Sequence, residues 1–116
     1  MPFLNKTLLV AGLALIGSLN LAWAAEPVKL ALTIRNHLFE PAQLSAPART
    51  ALEITITNAD PTAEEFESKA LKIEKVIAGG RSAIVRVLPQ APGRYEFVGE
   101  YHEDIAKGVL IITPAP

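Results

Sequence analysis

Pro92-Gly93-Arg94-Tyr95-Glu96-Phe97-Val98-Gly99-Glu100-Tyr101-His102-Glu103-Asp104-Ile105-Ala106-Lys107-Gly108, followed by Val109-Leu110-Ile111-Ile112, reads as a strand, a short polar loop and a closing strand. Pro92-Gly93 is a turn signal that opens the first strand. The loop carries one imidazole with carboxylates at every second position: Glu100, His102 and Asp104. Residues two apart on an extended segment share a face, so these three are expected to converge while Glu103 points away. The closing run from Gly108 to Thr113 is continuously apolar over Val109–Ile112, which predicts a strand buried on both faces.

The same punctuation recurs upstream. Val28–Arg35 and Leu52–Asn58 alternate apolar and polar residues with period two, the second ending in Asn-Ala-Asp-Pro, a turn. Ser82–Leu88 is a further strand, opened by Gly79-Gly80. Phe39 and Leu44 belong to one more, interrupted by Pro41, and Glu65-Phe66-Glu67-Ser68 adds a short one. Leu71–Val76 is expected to form a turn of helix. Short strands broken by Gly and Pro indicate an all-β antiparallel sandwich. Phe66, Tyr95 and Phe97 are its core aromatics, and Glu74 and Lys75 make a local ion pair.

Residues 1–24 have the pattern of a cleaved secretory signal peptide. Lys6 is their only charge, Leu8–Leu21 is almost wholly apolar, and Ala22-Trp23-Ala24 places small residues at a cleavage site. The apolar run is shorter than the roughly 20 residues a membrane span needs. Residues 25–116 then form a single exported domain. Its charge is close to neutral and slightly acidic, which gives no nucleic-acid surface. The chain has no Cys, and its one Met and one Trp are Met1 and Trp23. The exported part therefore has no sulfur and no soft ligand for Cu(I). There is no Ser-His-Asp set, phosphate-cradling glycine loop or paired-Cys motif.

The order of landmarks resembles the cupredoxin family over nearly the whole of residues 25–116. Phe39-Glu40-Pro41, the strand ending in Asn58, Gly79-Gly80, Pro92-Gly93-Arg94-Tyr95-Glu96-Phe97, His102 and Gly108-Val109-Leu110 stand in family order. Glu65–Ser68, Glu74–Ile77 and Gly99–Asp104 together are similar to cupredoxin-like proteins of bacterial iron transport, namely the EfeO-type cupredoxin domain and the FtrB component of Ftr-type ferrous-iron uptake systems. The resemblance implies a Greek-key β-sandwich, a periplasmic location, and a metal site at one end. It places Gly99 where the family has Cys, and Ile105 or Ala106 where it has Met, so the site is not a type 1 blue copper centre. Acids (Glu64, Glu65 or Glu67) stand in place of the family's first His.

The expected ligand set is therefore Glu65, Glu67, Glu100, His102 and Asp104, one imidazole and up to four carboxylates. Hard oxygen donors with one nitrogen suit iron, Mn(II) or Cu(II). Carboxylates favour Fe(III) over Fe(II) by charge, and such a cluster should hold at least one carboxyl with a raised pKa. Glu64 is held in reserve as a ligand, and His37 is either a further ligand or a surface turn residue. The functional expectation is a periplasmic protein of ferrous-iron uptake that binds iron or copper. It would assist iron oxidation and serve an inner-membrane iron permease with other periplasmic uptake components. A non-catalytic iron or copper chaperone or store is the first alternative, and a metal-free exported β-sandwich adaptor the second. Completion of the site across a homodimer is left open.

Overall fold

The computed structural model describes residues 25–115, so the segment read as a signal peptide lies outside the described residues. Nine strands form two sheets: β1 (Val28–Arg35), β2 (Leu38–Glu40), β3 (Gln43–Pro47), β4 (Leu52–Asn58), β5 (Glu64–Ser68), β6 (Ile73–Ile77), β7 (Ser82–Val87), β8 (Gly93–Gly99) and β9 (Lys107–Thr113). One sheet has the order β2-β1-β4-β7 and the other β3-β9-β8-β5-β6. Among the described residues there is no α-helix. A single 3-10 turn, Glu100–His102, joins β8 to the segment leading into β9.

Period-two alternation sends one face of each strand into the space between the sheets. Leu32 and Ile34 on β1, Phe39 on β2, Leu52, Ile54 and Ile56 on β4, and Val85 and Val87 on β7 are the buried apolar residues of the first sheet. Leu44 and Ala46 on β3, Phe66 on β5, Ile77 on β6, Phe97 on β8, and Leu110 and Ile112 on β9 answer from the second. Phe39, Phe66 and Phe97 pack as an aromatic trio, with ring centroids 4.9 to 6.2 Å apart. The edge-on contacts of Phe39 with the other two match the favoured geometry of ring quadrupoles.

The structure revises five expectations. The sandwich is not wholly antiparallel: β1 runs parallel to β4, and β3 parallel to β9. Phe39 and Leu44 lie on separate strands in opposite sheets, because the chain crosses between sheets at Pro41, a residue that cannot donate to a ladder. Leu71–Val76 is no helix. Lys72 has a left-handed φ of 59°, and Ile73–Ile77 turns back to pair with β5 in the register Ser68↔Ile73 to Glu64↔Ile77. In β9 only Leu110 and Ile112 are buried, and Val109 and Ile111 are half-buried. The strand is hydrogen-bonded on both edges yet only one of its faces meets the core. Glu74 and Lys75 form no ion pair, since neighbours on a strand point to opposite faces.

Tyr95 is half-buried and packs against the core, and its hydroxyl donates to the Ala91 carbonyl at 2.7 Å, fastening the Pro92-Gly93 turn to β8. Phe66 is fully buried within the aromatic trio. Phe66→Ala is therefore expected to lower the unfolding free energy by about 3–5 kcal/mol in urea denaturation.

Candidate metal centre

The site is built on the end of the sandwich where the β1–β2 hairpin, the β4–β5 connection and the β8–β9 loop meet. Asn58, the last residue of β4, is completely buried and organises the connection. Its amide donates to the carbonyls of Thr62 and Ile77 at 2.8 and 3.0 Å, and its Oδ1 accepts the Asp60 amide at 3.0 Å. Asp60, itself buried, is thereby aimed at the β1–β2 hairpin.

That hairpin turns through Asn36 and His37, with φ of 54° and 62°. Left-handed conformation at both central residues is what a two-residue hairpin loop of type I′ demands, and histidine adopts it at a cost. Asp60 offsets that cost. Its two oxygens accept the amides of Asn36 and His37 at 2.7 and 2.9 Å, and the His37 ring nitrogen Nδ1 lies 3.5 Å from Oδ2. Burial pushes the Asp60 carboxyl up, but the two backbone donors and the neighbouring imidazoles outweigh it and hold it below the usual range.

His37 stacks on His102, with ring centroids 3.6 Å apart and planes inclined by 14°. His102 closes the 3-10 turn, and its carbonyl accepts the amides of Ile105 and Ala106, which folds the loop back toward β9. Under the rings lies Glu64, the first residue of β5, only 2% exposed. Its Oε1 accepts the amides of Glu65 and Tyr101, each at 2.9 Å, and its Oε2 lies 2.7 Å from His102 Nδ1. With Glu64 ionised the carboxylate only accepts, so the imidazole donates from Nδ1. His37, Glu64 and His102 each bring a ligand atom within 4.8 Å of the others.

A second group forms from Glu65, Glu67 and Glu100, again with ligand atoms within 4.8 Å of one another. Glu64, Phe66 and Ser68 occupy the inward face of β5, so Glu65 and Glu67 fall on the other face. The expected ligands are thus divided. Glu65, Glu67 and Glu100 meet as the sequence suggested, whereas His102 joins Glu64 and His37. Asp104 is exposed and belongs to neither group. The reason is the 3-10 turn: at three residues per turn, positions two apart no longer share a face, so Glu100 and His102 point to different sides. Glu103 does not point away; it lines the same depression as Glu67 and Glu100.

The acidic group has the expected electrostatics. Hydrogen bonding to Glu100, then burial, pushes the Glu67 carboxyl up. Hydrogen bonding to Glu65 pushes Glu100 up, offset in part by its bond to Glu67. Carboxylates this close favour sharing protons over ionising together.

A family model described as the cupredoxin-like domain matches residues 7–112. The chain belongs to the cupredoxin-like domain family. An uncharacterized protein of Rickettsia prowazekii is 38% identical over 86 residues, covering 74% of this chain and 69% of that one. Auracyanin A, a blue copper protein of Chloroflexus aurantiacus, superposes with a TM-score of 0.65 at 14% identity, covering 75% of this chain and 99% of its own. The metal-binding domain of the Streptococcus pneumoniae Cu(I)-exporting P-type ATPase CopA, solved with Cu(I), gives 0.60 at 24% identity, covering 75% and 95%. At these identities the structural likenesses establish the fold. With no cysteine anywhere in the chain, this cupredoxin-like domain has no type 1 blue copper site.

The residues that sequence reasoning underweighted are His37, Glu64 and Asp60. The Asn-His pair between two strands was a legible type I′ signal, and Asn-x-Asp marked the loop that pins it.

Two outcomes follow from this geometry. Asp60→Ala removes both amide acceptors from a left-handed turn, and is expected to cost about 1–3 kcal/mol by urea denaturation and to release the His37–His102 stack, seen as a change in the imidazole NMR signals. Glu67 has a folded pKa above the usual value of 4.5, so its contribution is present below that value and lost as pH rises through the raised one. In chelator-treated protein, Glu67→Gln should therefore melt higher than wild type at pH 7, with the difference vanishing below the ordinary carboxylate range.

Proposed function

We propose that this is an exported, periplasmic protein of ferrous-iron uptake, which binds iron or copper at His37, Glu64 and His102 and passes iron toward an inner-membrane permease. The observation that carries the reading is the convergence of two imidazoles and one buried carboxylate at the loop end of the sandwich. Two His and one carboxylate with open positions is the donor set of non-haem Fe(II) centres, and imidazole equally suits Cu(II). Glu64 offers an oxygen beside His102 Nδ1, and an ion held between them would replace the proton that the two atoms share in the metal-free protein. Asp60 places His37 through the backbone amides of the turn. Copper is the second ion because structural relatives of this fold hold it.

The acids Glu65, Glu67 and Glu100, with Asp104 at the exposed end of the loop, extend the site outward. Their negative charge attracts cations and stabilises Fe(III) over Fe(II). That electrostatic bias favours loss of one electron by bound Fe(II) to an acceptor such as dioxygen. The signal-peptide pattern of residues 1–24 supports export.

Isothermal titration with Fe(III), Fe(II) under anaerobic conditions, Cu(II) and Mn(II) tests the site. Binding is expected for iron or Cu(II) in the wild type, with at least a tenfold loss in His102→Ala and in His37→Ala. Undiminished affinity in both variants would remove the centre from these residues. The absence of a thiolate, the ligand through which sulfur-bound copper couples to partners, favours a second reading: a store or chaperone with no oxidation activity. Oxygen consumption on adding Fe(II) separates the two, since an oxidising protein turns over while a store stops at its binding stoichiometry.

A further inference from the structure

Gly99 ends β8 with φ −90° and ψ 105°, an extended conformation open to any residue. Its backbone therefore gives no reason for glycine. The space around it does. A β-carbon at position 99 would lie 2.7 Å from the Glu64 Cδ, 2.8 Å from the Glu64 Oε2 and 2.7 Å from the Ala106 β-carbon. The volume that a side chain at 99 would fill is taken by the carboxylate that hydrogen-bonds His102.

We propose that Gly99 is the specificity-determining residue of the metal centre: by lacking a side chain it admits the Glu64 carboxylate beside His102, and it thereby fixes an oxygen–nitrogen donor set instead of one containing a side chain from position 99. The inference rests on the reading of His37, Glu64 and His102 as the metal centre, and it names what selects the ion there. Positions 64 and 99 act as one choice. Glu64 cannot move aside without cost, because it is buried and its two oxygens accept two amides and one imidazole N–H. Such a group left without its partners loses more than the net worth of the bonds. A side chain at 99 must therefore displace the carboxylate from its donors or be excluded. With Glu64 shortened, a thiol at 99 would stand next to His102 and His37, and His₂Cys is a donor set that selects copper with a thiolate bond.

The test has a metal-free arm and a copper arm. In urea denaturation with chelator present, Gly99→Ala is measured in the wild-type and Glu64→Ala backgrounds. The contact with Ala106 is common to both and cancels. The proposal expects Gly99→Ala to lower the folding equilibrium constant by about tenfold or more in the wild type and by far less once Glu64 is shortened. Equal cost in the two backgrounds would overturn it. In the copper arm, Cu(II) is added to Glu64→Ala/Gly99→Cys and to Gly99→Cys alone. An intense visible thiolate-to-copper absorption is expected in the double variant and absent or much weaker in the single one; bands of equal strength would overturn the proposal. Failure of the metal-centre reading has a different signature: the wild type binds no ion in the titration while the metal-free cycle remains coupled, which leaves the steric exclusion standing and removes its role in ion selection.

Discussion

The loop end of this domain depends on one buried carboxyl group. Glu64 has almost no access to water, and a carboxylate in that position is tolerated only when donors surround it. The donors come from two directions: the Glu65 amide on its own strand, and the Tyr101 amide and His102 imidazole on the loop between β8 and β9. Satisfying Glu64 therefore draws that loop down onto β5 and orients His102 in the same act. The stack of His37 on His102 then brings in the β1–β2 hairpin, which Asp60 and Asn58 hold from β4. Three segments far apart in sequence are fixed by a chain of acceptors, each buried and each hydrogen-bonded.

The strand β5 separates two chemistries by alternation alone. Its inward face carries Glu64, Phe66 and Ser68; its other face carries Glu65 and Glu67. On one side the carboxylate is enclosed and fully partnered. On the other, three carboxyl groups crowd each other, and those of Glu67 and Glu100 are held above the ordinary range. Two neighbouring residues of one type thus do opposite things, and the difference is the pleat of the strand.

Much of the fold was legible because its determinants are local. Val28–Arg35 and Leu52–Asn58 declare their buried faces by alternation, and the Gly and Pro punctuation marks most strand ends. The failures came where a distant partner decides. Ile73–Ile77 is a strand because β5 lies beside it, and a left-handed Lys72 makes the turn that brings it there. The pairing of β3 with β9 joins residues 43–47 to 109–113, a contact no local pattern reports. The site was half-legible for the same reason. Glu65, Glu67 and Glu100 could be grouped from strand alternation and the family's loop order. Glu100, His102 and Asp104 were read on an extended segment, but the Tyr101 amide donates to Glu64 and the Gly99 amide to the Ala106 carbonyl, and the segment between winds into a 3-10 turn. Glu64 stood only in reserve among the acids 64, 65 and 67, since burial of a charge is visible only once its donors are in place.

The exclusion of a side chain at Gly99 has a chemical consequence beyond geometry. From residue 25 onward the chain contains neither cysteine nor methionine. Metal ions that exchange electrons with dioxygen generate peroxide and radicals, and sulfur ligands are the first casualties, ascending from thiol to sulfenic and sulfinic acids or from thioether to sulfoxide. A centre made of imidazole and carboxylate has no rung on that ladder. With an oxygen of Glu64 in the place beside His102, the candidate set holds no thiol or thioether for that chemistry to consume.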